Sequence, residues 1–414
     1  MSFIRAAEHD REAPVTSLTG EIRSSSWSGT TDAGTMEGVL QPLVERVPGI
    51  SALSVTGPVA SRPWSRVFHG QGSAYPTPVA IKLCLDQSTG QASPELARAY
   101  FRALTSVHEA MDGHSLFAGV RPYALFEDLG LVVAEWVNGP TLSRLITGSS
   151  PMNARLAVRK AGAWLARLHR STNHSFRPLN TDEMLAQLEV AMTGFRRPPS
   201  ASIFGRALDA LRQTAPSVTG TPIVWTFVHG DFKPDNMLVS SGKLTGIDMD
   251  LRYPGPGVLD AAQFLNHLAL LLRTPRGIRR LSYAAEISAS FRRGYEQDGG
   301  LPLDYPQLAW VRLHNAVRLL VKHRDWSSGP VGWITGWSLR QLIARSTDIL
   351  ERSHSAAVDA PERPDMPDES AAAGRVAYLE DVLTFLAEDE DTWLSPDADR
   401  LVFDALRPQA ERKD

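Results

Sequence analysis

One run and one dipeptide hold most of the reactive potential of this chain: Phe227-Val228-His229-Gly230-Asp231-Phe232-Lys233-Pro234-Asp235-Asn236, then Ile247-Asp248. Moving a phosphoryl group needs an acceptor hydroxyl held in line with it, and cations to meet the charge spread over its oxygens. Asp231 suits the hydroxyl, because a carboxylate beside it can orient it and accept its proton. Asn236, in the same loop, offers an amide oxygen to magnesium. Asp248, after a β-type turn, can bridge that metal to phosphate oxygens. Lys233 can neutralise the group in transit. The plain alternative is a polar turn between two strands.

In this order the residues resemble the catalytic and metal loops of the aminoglycoside phosphotransferase and choline-kinase-like family, a branch of the protein-kinase-like fold. The stretch Asp231 to Asn236 approaches the protein-kinase pattern, His-Arg-Asp with Asn further on. Gly230 in place of that arginine points to the small-molecule branch. The resemblance implies an α+β, two-lobed protein-kinase-like fold, with a β-rich N-lobe carrying one long helix and a mainly helical C-lobe. It also implies ATP and Mg2+ as cofactors and a small hydroxylated acceptor.

The resemblance extends over roughly residues 51–350 and brings further site residues with it. Val79-Ala80-Ile81-Lys82 resembles the third N-lobe strand, with Lys82 as the residue that holds the α- and β-phosphates. A lysine amid apolar neighbours needs a partner, since an unpaired buried charge is costly. Glu95, in the first turn of the next helix, is expected to supply it, with Glu109 as the second choice. Residues 131–142 resemble the interlobe hinge, so Glu135, Trp136 and Val137 are expected along an adenine edge. Residues 56–64 stand where protein kinases have Gly-x-Gly-x-x-Gly. They are glycine-poor here, and Ser61 and Arg62 are either phosphate contacts or plain turn residues. Gly255 to Ala262 resembles the element after the metal loop, in which Asp260 is expected to be a helix cap or loop anchor. Asp250 could face the same site as Asp248.

Hydrophobic spacing supplies the elements that must position these groups. Short β-type runs punctuated by Gly and Pro occupy 51–85, and two more strands are expected at 123–129 and 131–137. Residues 94–111 have the amphipathic spacing of a helix with Pro94 in its first turn. Helices are expected at 36–47, 141–147, 152–171, 182–194, 202–213, 258–273, 279–297, 305–324 and 332–352, around a β interlude at 223–250. This divides the chain into a loose arm (1–33), a nucleotide-binding lobe (34–138), a catalytic and acceptor lobe (139–354), a linker (355–374) and an acidic helical tail (375–414). The cluster from Lys322 to Trp326 either lines an acceptor pocket or complements a helix dipole.

Composition narrows the function classes. The 414 residues carry 43 Lys plus Arg against 46 Asp plus Glu, a balance with no basic footprint for nucleic acid or membrane. One cysteine, Cys84, excludes an intrachain disulfide and reads as a core residue. The N-terminus lacks a signal-like apolar stretch, and no window approaches the about 18 uncharged apolar residues of a membrane helix. A soluble, cytoplasmic phosphotransferase is the expectation. A nucleotide-binding pseudokinase-like scaffold without turnover is the alternative, but its usual mark, loss of the lysine, the base or a metal ligand, is missing. A protein kinase is disfavoured by Gly230, the glycine-poor loop and the lack of an Ala-Pro-Glu segment. The acceptor is left open among aminoglycosides, amino alcohols, sugars and amino acids.

Overall fold

The computed structural model describes residues 16–17, 54–62, 64–71, 75–171, 174–193, 201–249, 254–274, 277–297, 303–323 and 330–358. The N-terminal part runs β1 (Thr16–Ser17), β2 (Ser54–Arg62), β3 (Ser65–Gln71), β4 (Val79–Cys84), α1 (Pro94–Met111), β5 (Phe117–Gly119), β6 (Pro122–Phe126) and β7 (Leu131–Glu135). All but β5 form one sheet, in the order β1-β2-β3-β4-β7-β6, with every pairing antiparallel.

Alternation along β4 decides the two faces of this sheet. Val79, Ile81 and Leu83 pack with Phe68, Leu131 and Val133 in one cluster. Lys82 and Cys84 point the other way, and Cys84 joins the larger core that includes Ala97 and Leu104 of α1. That helix begins as its sequence suggests, with Pro94 in the first turn and the Ser93 side chain accepting from Leu96 N at 3.3 Å.

The C-terminal part contains α2 (Leu142–Gly148), α3 (Pro151–Ser171), β8 (Ser175–Pro178), α4 (Thr181–Thr193), α5 (Ala201–Val218), β9 (Pro222–Phe227), β10 (Met237–Ser240), β11 (Lys243–Gly246), β12 (Pro254–Pro256), α6 (Gly257–Leu272), α7 (Ala284–Gln297), α8 (Tyr305–His323) and α9 (Pro330–Val358). Helices α3 and α7 cross with their backbones touching. A Cβ on Gly162 would stand 2.1 Å from Phe291 O, and one on Gly294 would stand 1.9 Å from Arg159 O. Only glycine permits that approach. The crossing seats Phe291 against Phe264 of α6, ring centroids 4.5 Å apart, beneath the 227–236 loop.

Several expectations need correction. Residues 56–62 are not a loop but the greater part of β2, paired with β3 through two register shifts. The chain has few glycines there because a strand does not require them. Strands β5, β8 and β12 were not expected: all are short, and β8 is exposed throughout, so no alternation marks it. Helix α5 continues to Val218 through Pro216, beyond the expected end, and α9 continues to Val358 into the expected linker. Thr16–Ser17, within the expected loose arm, pairs with Ser54–Val55. The helix at 36–47, Asp250, residues 324–326, the rest of the linker and the acidic tail lie outside the described residues. Among the described residues no helix is long and apolar enough to cross a membrane.

Candidate active site

The 229–236 loop is built from the core outward. Phe232 is fully buried, stacked on Trp164 of α3 at 5.7 Å and on Phe264 at 5.1 Å. Gly230 takes a φ of 76°, a left-handed conformation that side chains disfavour and that turns the chain toward Asp231. Behind the turn Asp260, near the start of α6 and 1% exposed, accepts from His229 N at 2.6 Å and Gly230 N at 2.9 Å. Its Oδ2 also meets His169 Nε2 at 3.2 Å, and His169 Nδ1 meets the Tyr295 hydroxyl at 2.8 Å. Asp260 is thus a loop anchor, and His169 a buried support behind it. Burial lowers the His229 pKa, so that ring stays neutral.

With the backbone held, the Asp231 carboxylate is gripped at both oxygens. Lys233 Nζ donates to Oδ2 at 2.5 Å and Asn236 Nδ2 to the same oxygen at 2.8 Å. Gln263 Nε2, from α6, donates to Oδ1 at 2.7 Å. Asn236 Nδ2 also bonds Asp231 O at 2.8 Å, so the amide oxygen is the atom of Asn236 suited to a cation. The neighbouring Asp235 accepts from Ser143 of α2 at 2.6 Å, which pins the loop to the second helix.

Asp248 reaches the same place from the end of the β10–β11 hairpin. Ile247 N donates to Asn236 O at 2.9 Å, tying the two loops together. Asp248 has a φ of 56°, a strained value for a non-glycine residue and the kind that functional sites retain. Its Oδ1 accepts from Lys82 Nζ at 3.1 Å. Burial opposes the carboxylate charge, yet the adjacent Lys82 holds the pKa below its ordinary value. At Lys82 burial again opposes the charge, while Tyr100 and Asp248 outweigh it and keep the ammonium protonated.

The partner expected for Lys82 is not the one found. Glu95 is exposed, and its Oε2 accepts from Ser93 Oγ at 3.5 Å within the helix cap. Lys82 pairs instead with Asp248, and its Nζ lies 3.8 Å from the centroid of the Tyr100 ring. Helix phase explains the change. At about 100° per residue, Tyr100 falls within the buried stripe of Ala97, Leu104, Val107 and Met111, and Glu95 falls on the far side. That periodicity was available in the sequence, and it outranks the appeal of an acid at the first turn. Gln263 was also missed, although it lies one turn after Asp260 on the same helix face.

The remaining expected residues lie on, or just past, strands of the sheet that carries Lys82. Ser61 and Arg62 close β2 at its turn into β3, with Arg62 opposite Ser65 and Ser65 opposite Cys84, two positions beyond Lys82. Glu135 ends β7 and Trp136 follows it, their N–H groups taken by Arg121 O and Pro78 O, each at 2.8 Å. The Trp136 ring stands edge-on to His69, centroids 4.8 Å apart. Val137 makes no backbone N–H bond among the described residues, so of the three it is best placed to offer one to a ligand.

A magnesium–nucleotide complex fits this donor set. Among the described residues no group of three His, Cys, Asp or Glu could cage a metal. Magnesium in a nucleotide site is held by one or two side chains and completed by phosphates. Asn236 and Asp248 supply hard oxygens, and Lys82 and Lys233 supply positive charge on either side of them.

Residues 63–314 match the APH family, described as the phosphotransferase enzyme family. No curated protein matches. Among solved structures, a Ralstonia eutropha protein assigned to the aminoglycoside phosphotransferases shares 17% identity with a TM-score of 0.51, covering 78% of this chain and 98% of its own. An amicoumacin kinase in complex with AMP-PNP and Ca2+ shares 15% identity with a TM-score of 0.50, covering 77% of this chain and 94% of its own. At such identities the likeness is one of fold alone.

Proposed function

The chain belongs to the phosphotransferase enzyme family, and we propose that it moves the γ-phosphoryl group of Mg·ATP onto a hydroxyl of a small molecule. The observation that carries this reading is the grip on Asp231: three donors fix both carboxylate oxygens beside Asn236 and the Lys82–Asp248 pair. Bound Mg·ATP would supply the phosphoryl group and the charge-neutralising metal. Asp231 orients the acceptor hydroxyl and takes its proton as the new bond forms. In a loose transition state this positioning outweighs the basicity. Lys233 lies against the same carboxylate, where it can meet charge on the transferred group. Lys82 holds nucleotide phosphates, Asn236 and Asp248 hold the metal, and Ser61 and Arg62 approach the phosphates from the β2–β3 turn. Glu135, Trp136 and Val137 border the base. The amicoumacin kinase with AMP-PNP and Ca2+ supports the nucleotide and the divalent ion by likeness of fold. A cytoplasmic location, where Mg·ATP is plentiful, suits this chemistry.

The test is phosphate release and transfer by purified protein. With Mg·ATP alone, slow hydrolysis is expected, with water in place of the acceptor. It should vanish in Asp231→Asn and rise many-fold when the right member of a panel of sugars, amino alcohols, hydroxy amino acids and aminoglycosides is added. ATP binding without release or transfer to any member would favour a scaffold.

A further inference from the structure

We propose that Tyr100 is the positioning residue for Lys82, holding its ammonium group against an aromatic face where protein kinases present a glutamate from the corresponding helix. The inference rests on the nucleotide reading above and goes beyond it by assigning a residue that neither the loop motifs nor the family match singles out.

The geometry is specific. Lys82 Nζ lies 3.8 Å from the ring centroid, well inside the roughly 6 Å reach of a cation–π contact. The lysine side chain is only 12% exposed, so the attraction is little screened by water. No carboxylate of α1 takes the place of the ring: Glu95 and Glu109 are both exposed. The ring itself cannot swing away easily. It lies in the stripe of α1 that buries Ala97, Ala103, Leu104, Val107 and Met111 and packs against that core, which limits its rotamers.

A ring and a glutamate differ in what they leave to the lysine. A glutamate neutralises the ammonium and competes with phosphate oxygens for its protons. A ring attracts the charge through its quadrupole but carries no net negative charge to compete with phosphate for the ammonium. Of the two partners of Lys82, Asp248 is also the proposed metal ligand, and a carboxylate drawn to magnesium grips the lysine less. Tyr100 then remains to keep Lys82 aimed at the α- and β-phosphates.

The experiment compares Mg·ATP and adenosine affinity by calorimetry, together with KM and kcat, for wild type, Tyr100→Phe and Tyr100→Leu. Phe keeps the face and should stay within about twofold of wild type. Leu removes it and should weaken Mg·ATP on the order of tenfold, in line with a desolvated cation–π contact. Adenosine, which has no phosphates for Lys82 to hold, should bind both variants as it binds wild type. Phenylalanines of increasing ring fluorination at position 100 keep the shape and drain the quadrupole, so KM for Mg·ATP should climb stepwise even if Tyr100→Leu fails to fold. Unchanged Mg·ATP affinity in Tyr100→Leu and across the fluorinated series overturns the role of Tyr100 alone, as does equal loss of ATP and adenosine. A wild type that binds no Mg·ATP overturns the nucleotide reading with it.

Discussion

Around Asp231 each carboxylate oxygen is met by a donor from a fixed element, and the loop beneath rests on the buried Asp260 and Phe232. On the N-terminal side, Lys82 is held by one carboxylate and one ring face, and Arg62 is exposed at the end of a strand. The C-terminal half of the site is therefore a hydrogen-bonded network in which removing a member leaves buried groups unmatched. The N-terminal half depends on how a helix and a sheet face each other. The first should fail abruptly when mutated, the second by degrees.

The steepest loss should come from Asp231→Asn. It keeps the shape and most of the hydrogen bonds but removes the proton acceptor and a negative charge. Turnover should fall about 10²–10⁴-fold while Mg·ATP affinity and melting temperature hold. Near-normal turnover would take Asp231 out of the mechanism. Asp260→Ala should act on stability instead. It strips the acceptor from the N–H of buried His229, from that of Gly230 and from His169, a loss of about 3–5 kcal/mol by analogy with broken buried ion pairs. Urea unfolding that reports under about 1 kcal/mol would mean the loop is anchored elsewhere.

The C-terminal half should also be the acid-sensitive one. Burial lowers the His314 pKa to about 4 and the His267 pKa to about 3. His314 Nε2 meets Met184 O at 3.0 Å, and its Nδ1 is buried with no partner among the described residues. Both native pKa values lie below the unfolded value near 6.5. The unfolded state therefore binds more protons in that window, and stability present above 6.5 declines as pH falls toward 4. The slope should approach about 1.4 kcal/mol per pH unit for each histidine well below 6.5. Denaturant titrations from pH 7.5 to 5 should show it, less steeply in His314→Gln. Equal slopes in the two proteins would remove His314 from the account.

Gln263→Ala tests whether the amide donor to Oδ1 matters where a lysine and a second amide still hold Oδ2. A hydrogen bond of about 1 kcal/mol corresponds to roughly a fivefold fall in kcat, with KM for ATP unchanged. A shift in KM alone would assign Gln263 to binding. Arg62→Ala should be the mildest change. An exposed cation contributes about 0–1 kcal/mol, so KM for Mg·ATP should rise no more than about fivefold, and by less at high salt. A hundredfold effect would show that the β2–β3 turn closes over the phosphates and shields Arg62 from water, erasing the contrast between the two halves.

Much of this was legible in the chain alone. The expected helix at 94–111 coincides with α1, because Ser93, Pro94 and a regular apolar stripe mark its start and face locally. The order of Lys82, Asp231, Asn236 and Asp248 pointed to phosphoryl transfer, which admits few residue types, and the structure brings Lys82 to Asp248 and Asn236 to Asp231. The strand around Lys82 followed from alternation over a few residues. Such features depend on neighbours in sequence, and a sequence records its neighbours directly.

Other features were decided only in three dimensions. Strand β5 is three residues long and pairs in parallel with β11, Phe117 beside Leu244. Trp164 Nε1 donates to Ala118 O at 3.1 Å across the same junction. No local pattern predicts a pairing between segments so far apart, since so short a strand acquires its identity from its partner. The apolar stripe already placed Tyr100 rather than Glu95 on the inner face of α1, but only the docking of α1 on the sheet brought that ring to Lys82. Gln263 reached Asp231 because Phe264, its neighbour on α6, packs on Phe232 and Phe291 and so fixes the rotation of that helix. The sequence by itself nominated the groups that could do the chemistry, because that is a question of residue type and short spacing. The packing of helices against one another decided which groups hold them in place, because burial selects among side chains that local spacing leaves equivalent.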